Sequence, residues 1–439
     1  MRHYDNESVW DAVIIGAGIA GLTASIYLAR AGQKVLLLEK GAHPGGRAAS
    51  TELAGAQVNL GAHALNRSAL PILREVGVHP AGAAPKLPGG LVFAGERGSI
   101  NVSLLQLLLG SFLNVREKCQ LLAFYRSLNK SDVSFLNRVS LQEHLETWVP
   151  SLHVRHIVLA LVRLSTYCDA PDLISAGAVI SQLKQSQVLY VNGGWQSVIH
   201  QLTWQSQQAG VTLLSGVSVQ EVIGIRPQIQ VNLKGGSQLI SRNVISTAGP
   251  RSTLALLNPA LTPAEEAPYR QLVPVYAACL DLVVTGMPRS RTTFVLGADA
   301  PWYFSNHSAT ALLSNHSEHQ VVHVMKYLPV KGHSDPREDQ HELTALLDNI
   351  QPGWTKHTVR QRFLPRMLVT HAMPTAAMGG LSGRPGPMVK RRPGIYVAGD
   401  WVGSEGMLAH VSLASAREAA RMILASTDTK TEGEEEDGT

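Results

Sequence analysis

Residues 11–16, DAVIIG, form a short, wholly apolar run of the length of a buried strand. Leu22–Ala31 follows with the spacing of a helix and is stopped by Gly32. Lys34–Leu38, KVLLL, is a second apolar strand, closed by Glu39. Two such strands separated by a helix predict a parallel strand–helix–strand unit. Farther along, a helix is expected after Tyr190–Trp195, ending near Gly210. Val211–Val222, VTLLSGVSVQEV, alternates as one strand, and Ile229–Leu233 and Leu239–Ile245 are two more. Gly394–Ala398, GIYVA, predicts a strand leading into a last helix over about Ala409–Leu424. Between these blocks, 104–182 carries helical spacing, as in REKCQLLAFYRSL and LQEHLETWV, while 273–283 and 319–328 read as strands. Residues 379–393, GGLSGRPGPMVKRRP, read as a loop.

Two apolar stretches invite a membrane reading. Val13–Gly32 has nearly the length of a span but is broken by Gly16, Gly18 and Gly21 and ends at Arg30. Ser103–Leu113, SLLQLLLGSFL, is too short to cross and is expected as a buried helix in preference to a membrane-docking patch. The 439 residues are 45% hydrophobic and 16% charged, which excludes a disordered or collagen-like chain and leaves room for two or three domains. Cys119, Cys168 and Cys279 are far apart with no CxxC, so neither a zinc ribbon nor a disulfide framework is expected and no metal is called for. The polar start, MRHYDNESVWD, lacks the apolar run of a secretion signal, and the expectation is a cytoplasmic protein open to peripheral membrane contact.

The net charge of +5 hides an asymmetry. Residues 426–439 hold six acids and one lysine, so the rest of the chain carries +10. The tail is expected as a disordered acidic end. The basic remainder suits an anionic ligand or membrane surface, but without a basic-aromatic stripe no nucleic-acid partner is expected.

The chemistry starts at Gly16-Ala17-Gly18-Ile19-Ala20-Gly21, between the first strand and its helix. Gly16 permits the tight turn, Gly18 lets backbone amides approach a pyrophosphate, and Gly21 lets the helix pack close to the strand. The helix N-terminus offers N–H groups and partial positive charge to phosphates. Glu39, at the end of the second strand, suits ribose hydroxyls and repels a 2′-phosphate, which argues against NADP. Strand, GxGxxG, helix, strand and acid together predict a dinucleotide site, without separating NAD from FAD.

Lys40-Gly41-Ala42-His43-Pro44-Gly45-Gly46-Arg47 follows at once. GxGxxG, acid and GGR in this order resemble the N-terminal signature of the flavin family that includes phytoene desaturases, flavin amine oxidases and protoporphyrinogen oxidases. The C-terminal Gly399-Asp400-Trp401-Val402-Gly403-Ser404-Glu405-Gly406-Met407-Leu408 resembles the end of that family, and 188–256 resembles its middle block. The resemblance implies an α/β fold: a discontinuous Rossmann-type FAD-binding domain (1–67, 188–256 and 392–425) with an inserted mixed α+β substrate domain (68–187 and 257–391).

It further implies non-covalent FAD, because no cysteine follows Cys279 to make the family's C-terminal cysteinyl link. Gly16, Gly18, Ile19, Ala20, Gly21, Glu39 and Lys40 would hold the nucleotide. Gly45 and Gly46 would let the loop run along the pyrophosphate and ribityl chain, with Arg47 beside the phosphates or flavin. The backbone of Val219 would meet the adenine. Gly399 and Asp400 would meet the ribityl chain, and Gly406, Met407 and Leu408 would face the flavin's pyrimidine edge, where a helix N-terminus stabilises negative charge.

His63, in Gly61-Ala62-His63, is the catalytic candidate: near the flavin it would orient substrate or move a proton, and otherwise it is a packing histidine. His371 and His410 are weaker candidates, and Trp302 and Tyr303 are candidate pocket walls. Lys326 is a weak candidate for the water-holding lysine of amine oxidases. The final motif lacks the cage tyrosine those enzymes carry, which lowers that reading. The leading expectation is an FAD-dependent dehydrogenase or oxidase of the phytoene desaturase-like branch, moving hydride to flavin N5 from an apolar or partly conjugated small molecule to form C=C or C=N. Without a second nucleotide motif, the acceptor would be oxygen, a quinone or another carrier. The alternatives are an amine or amino-acid oxidase, a redox-neutral flavin isomerase, and a non-enzymatic binder of lipid or protein resembling the Rab GDP-dissociation inhibitors. Oligomeric state is not read from the chain.

Overall fold

In the computed structural model, residues 9–61, 63–85, 89–95, 100–102, 104–185, 187–257 and 261–435 are described. The first strand, Trp10–Ile15, pairs in parallel with Val35–Glu39 on one side and Gln238–Ser246 on the other. Thr212–Ser215 extends the sheet beyond Val35–Glu39, and Ile395–Val397 pairs in parallel with Gln238–Ser246. The antiparallel strands Gln228–Leu233 and Val219–Ile225 complete seven strands. Apolar side chains of the central strands point to both faces, so both must be covered. Helices Ile19–Arg30, Gly194–Gln208 and Leu408–Glu435 cover one face. Pro250–Leu257 and the residues around Tyr269 and Trp401 cover the other. The Rossmann-type sheet is thus assembled from separated stretches of sequence, as expected.

The inserted unit is built on a second seven-stranded sheet, in the order Thr358–Thr370, Val275–Val284, Gln320–Tyr327, Trp302–Asn306, Phe294–Gly297, Gly89–Val92 and Ile100–Val102. Strand alternation sorts its residues. Ala278, Leu280, Leu282, Val322 and Val324 pack against helix Pro336–Ile350. Ala277, Cys279, Tyr303, Met325, Tyr327 and Met367 face the helices Val115–Lys130, Leu152–Thr166 and Ala176–Lys184.

Three expectations change. Val211–Val222 is two strands, Thr212–Ser215 and Val219–Ile225, paired with different partners in opposite senses. Both are half-exposed, so one alternating pattern runs across the turn between them. The last helix, expected to end near Leu424, continues to Glu435; extending an established helix needs no new nucleation. Residues 436–439 of the acidic tail lie outside the described residues. The apolar 103–113 stretch forms a helix over Leu104–Leu109 that buries Leu107 yet leaves Leu109 76% exposed, so it is only partly the buried helix expected. Among the described residues, no helix is long and apolar enough to cross a membrane. All three cysteines are free.

Candidate cofactor site

The turn after the first strand is closed by its own packing. A Cβ on Gly21 would lie 1.9 Å from the Gly16 carbonyl oxygen, so the helix can approach this strand only with glycine there. Gly18 differs: its backbone is extended, and a Cβ would meet only the Gly45 oxygen at 3.9 Å. Protein packing therefore does not require glycine at 18, whereas a ligand seated on the helix N-terminus does. The Thr247 hydroxyl donates to the Ile15 and Gly16 carbonyls, both at 2.9 Å, and fixes the turn from the neighbouring strand. Glu39 is held from both sides, accepting from Ala17 N–H at 2.8 Å and Gly41 N–H at 2.7 Å.

This turn opens into a cavity of about 660 Å³. Glu39, Lys40, Val219, Gln220 and Lys234 line one part, and Gly16, Gly18, Ile19, Ala20, Gly45 and Gly46 line the glycine turn. Arg47, Val369, His371, Gly399, Asp400 and Leu408 line a further part. A dinucleotide with its pyrophosphate on the helix N-terminus and one ribose at Glu39 would have its other half in this last part, where Leu368 and Val369 of the strand Thr358–Thr370 line the wall.

There Arg47 and Asp400 form an ion pair at 2.8 Å. Arg47 also donates to the Val369 carbonyl at 2.9 Å. Asp400 accepts from the His371 backbone N–H at 2.9 Å, and the His371 Nδ1 lies 2.9 Å from its other oxygen. The same Nδ1 lies 3.1 Å from Arg47 Nη2. When protonated, Nδ1 donates to Asp400; when bare, it accepts from Arg47, so the ring has a partner in either state. Burial alone would raise the Asp400 carboxyl, but Arg47 and His371 outweigh it and hold the group well below the usual carboxylate range. It is therefore a fixed anion at the cavity wall.

Most residues expected from sequence line this one cavity; Gly21, Gly406 and Met407 do not. Gly21 acts in helix packing, and Gly406 and Met407 lead into Leu408, which does line it. Sequence reasoning missed Val369, Lys234 and Thr247. Nothing in their local sequence marks them, because they arrive on strands and loops paired across the fold.

His63 is not among the cavity-lining residues. Its ring stacks on His323 at 3.8 Å between centroids, in a buried cluster with Cys279, Asp281 and His307. Its backbone N–H donates to the Tyr167 hydroxyl at 2.9 Å. Burial keeps the His63 and His307 rings well below the ordinary histidine range, and it raises the Cys279 thiol, helped by Asp281. Asp281 is already paired with Arg362 and accepts from His323 at 2.6 Å. Ring-nitrogen lone pairs lie in the ring planes, so the stacked His63 and His323 do not aim theirs at one point. The cluster thus has the features of a charge-balanced core, the packing alternative for His63. Lys326 points to the helix side of the second sheet, where it pairs with Asp339 at 2.9 Å and Glu342 at 2.6 Å. His410 is tied to Ser68 and Glu405, outside the cavity lining.

A family model described as an NAD(P)-binding Rossmann-like domain matches residues 14–76. The chain is 50% identical over 46 residues to thioredoxin reductase of Bacillus subtilis (strain 168), covering 10% of this chain and 14% of that protein. It is 44% identical over 68 residues to (S)-6-hydroxynicotine oxidase of Paenarthrobacter nicotinovorans, covering 15% and 16%. The chain therefore spans less than a fifth of the length of these curated relatives. Over nearly its whole length it is similar in structure to wild-type putrescine oxidase bound to putrescine: TM-score 0.76, 14% identity, covering 95% of this chain and 99% of that one. That likeness shows the fold: a Rossmann-type sheet with a second, inserted unit. The open cradle at Gly18, the pinned Glu39 and the buried anion Asp400 fit FAD.

Proposed function

We propose that this chain binds FAD without a covalent link and oxidises a small molecule by hydride transfer to it, with an amine as the favoured substrate class. The observation that carries the reading is the continuous cavity from the glycine turn to Asp400 and the start of the final helix. The relatives matched in sequence include oxidases and dehydrogenases of nicotine-type amines, and the structural neighbours include oxidases of putrescine and cyclohexylamine. A second reading, dehydrogenation of an apolar carbon chain, is favoured by the cavity wall at Leu368 and Val369, which is apolar. Limonene dehydrogenase and carotenoid desaturase relatives support it as well.

The first turn of helix Ile19–Arg30 with Gly18, Gly45 and Gly46 would seat the pyrophosphate, Glu39 a ribose, and Asp400 with Arg47 the ribityl region. Val219 would lie at the adenine. FAD supplies the two-electron acceptor; the chain binds it, orients it and keeps the substrate C–H beside it. No role in the chemistry is assigned to His63. Residues 1–67, 188–256 and 392–425 would form the cofactor unit, and 68–187 with 257–391 the substrate unit. Oxygen or a quinone-type carrier would reoxidise the cofactor.

The test is the visible spectrum of the purified protein before and after denaturation and filtration, followed by anaerobic mixing with amines and with apolar alkenes. Flavin bands released in full and bleached by an amine support the reading, whereas bleaching by the alkenes alone supports the second. A colourless protein that takes up no added FAD overturns both and favours a non-enzymatic binder.

A further inference from the structure

Arg384 lies in the loop 379–393, and its side chain runs behind the start of the final helix. It is only 6% exposed. Its Nη2 donates to the Gly406 carbonyl at 2.7 Å, while its Nε is buried without a partner. Among the described residues it makes no ion pair. The nearby anion, Asp400, is already occupied by Arg47 and His371. A guanidinium buried with one carbonyl partner is costly, and most buried charges are paired. Burial lowers its pKa to about 10, so it remains cationic at neutral pH.

Two positive features therefore converge on one end of the cavity. The helix starting at Leu408 presents its N-terminus there, since Leu408, Ala409 and Ser412 line the wall. Arg384 stands directly behind that terminus, held by Gly406 two residues before it. The anion-binding glycine turn and Glu39 occupy the other part of the cavity, so this end receives the redox-active half of the dinucleotide.

We propose that Arg384 is an electrostatic positioning residue that raises the reduction potential of the bound cofactor by favouring its reduced, negatively charged form. The inference rests on FAD occupying the cavity as proposed above. Hydride transfer removes two electrons from the substrate carbon, and the substrate releases a proton to solvent where its product requires it. The hydride adds one negative charge to the cofactor, and Arg384 with the helix N-terminus offsets that charge without touching substrate. One elementary charge acting on a nearby group at an effective dielectric near 20 is worth about a factor of ten in this equilibrium.

The experiment is a dye-coupled redox titration of the FAD-loaded protein for wild type, Arg384→Met and Arg384→Gln, with Arg392→Met as the control. Like Arg384, Arg392 is buried with an unpartnered Nε and is not among the cavity-lining residues, but it bonds the Gly224 carbonyl and not the segment that leads into the final helix. Both Arg384 variants should show about a tenfold lower reduced-to-oxidised ratio at a fixed potential, ~30 mV for a two-electron couple. Arg392→Met should titrate as wild type. Arg384→Gln keeps a donor for Gly406, so a loss shared by both variants identifies the charge and not the hydrogen bond. If either folded Arg384 variant retains the wild-type potential, the proposal is overturned. If the wild-type protein takes up no FAD, the reading of the cavity fails instead, and this inference falls with it.

Discussion

Arg47 and Asp400, 353 residues apart, meet in an ion pair of 2.8 Å on the wall of the cavity, with the Asp400 side chain 2% exposed. The pair joins the loop after the second strand to the strand–helix unit that closes the fold, and His371 of the inserted unit completes it. One buried carboxylate thus links both ends of the Rossmann-type sheet's unit to the second sheet. Arg47 and His371 keep it charged against the cost of burial.

Replacing that carboxylate should be felt twice. Asp400→Asn should weaken FAD binding about tenfold or more, read by fluorescence as free flavin is titrated into apoprotein. It should also change acid stability. The folded carboxyl titrates far below the unfolded one, so its contribution is present above about pH 4 and is lost as pH falls further. Urea unfolding of apoprotein at pH 6 and pH 3 should therefore show a drop about 1 kcal/mol smaller in the variant than in wild type. Equal drops in the two proteins would contradict this assignment.

The glycines at 18 and 21 should separate ligand from fold. Gly21→Ala drives a Cβ into the Gly16 carbonyl and should cost about 1–3 kcal/mol of stability even without cofactor. Gly18→Ala meets no protein atom closer than 3.9 Å, so apoprotein stability should stay within about 1 kcal/mol. Its FAD affinity should nevertheless fall about tenfold or more, because the new methyl stands where the cofactor approaches. Thermal melts of apoprotein alongside FAD titrations would distinguish the two. Wild-type FAD affinity in the Gly18→Ala protein would remove the pyrophosphate from this turn.

The buried histidines should make the fold sensitive to mild acid. Unfolded rings take up protons near pH 6.5, whereas His63 and His307 resist protonation until well below that. Their contribution is fully present above pH 6.5 and is lost as pH falls. The slope is at most about 1.4 kcal/mol per pH unit for each ring. Unfolding free energies at pH 7, 6 and 5 should decline more steeply for wild type than for the double variant His63→Gln, His307→Gln. Parallel lines would mean that neither ring is held neutral.

The sequence alone determined the first strand–turn–helix–strand unit, because its signals are local. Gly16, Gly18, Gly21 and Glu39 fall within one strand–helix–strand unit, and the tight turn and its pinned acid need residue types at short, fixed spacing. GGR and Gly399-Asp400 stood out through a family resemblance and not through spacing, and the fold brings Gly45, Gly46, Arg47, Gly399 and Asp400 to one cavity. Alternation was less decisive where both faces of a strand are half-exposed, as in the stretch that became Thr212–Ser215 and Val219–Ile225.

The tertiary structure decided which long-range pairs those residues form and which candidates never reach the cavity. His63 follows the GGR loop closely in sequence, yet two residues beyond Gly61 it turns into the core under the second sheet and stacks on His323. On strand Gln320–Tyr327, Lys326 stands beside core residues Met325 and Tyr327, yet its own side chain falls on the opposite, helix-facing side. Arg384 has no motif at all; only the packing of its loop behind the final helix leaves it buried, with the Gly406 carbonyl as its partner and no ion pair among the described residues. Spacing along a chain fixes backbone turns. Burial and charge at a site depend on what the rest of the fold brings against it.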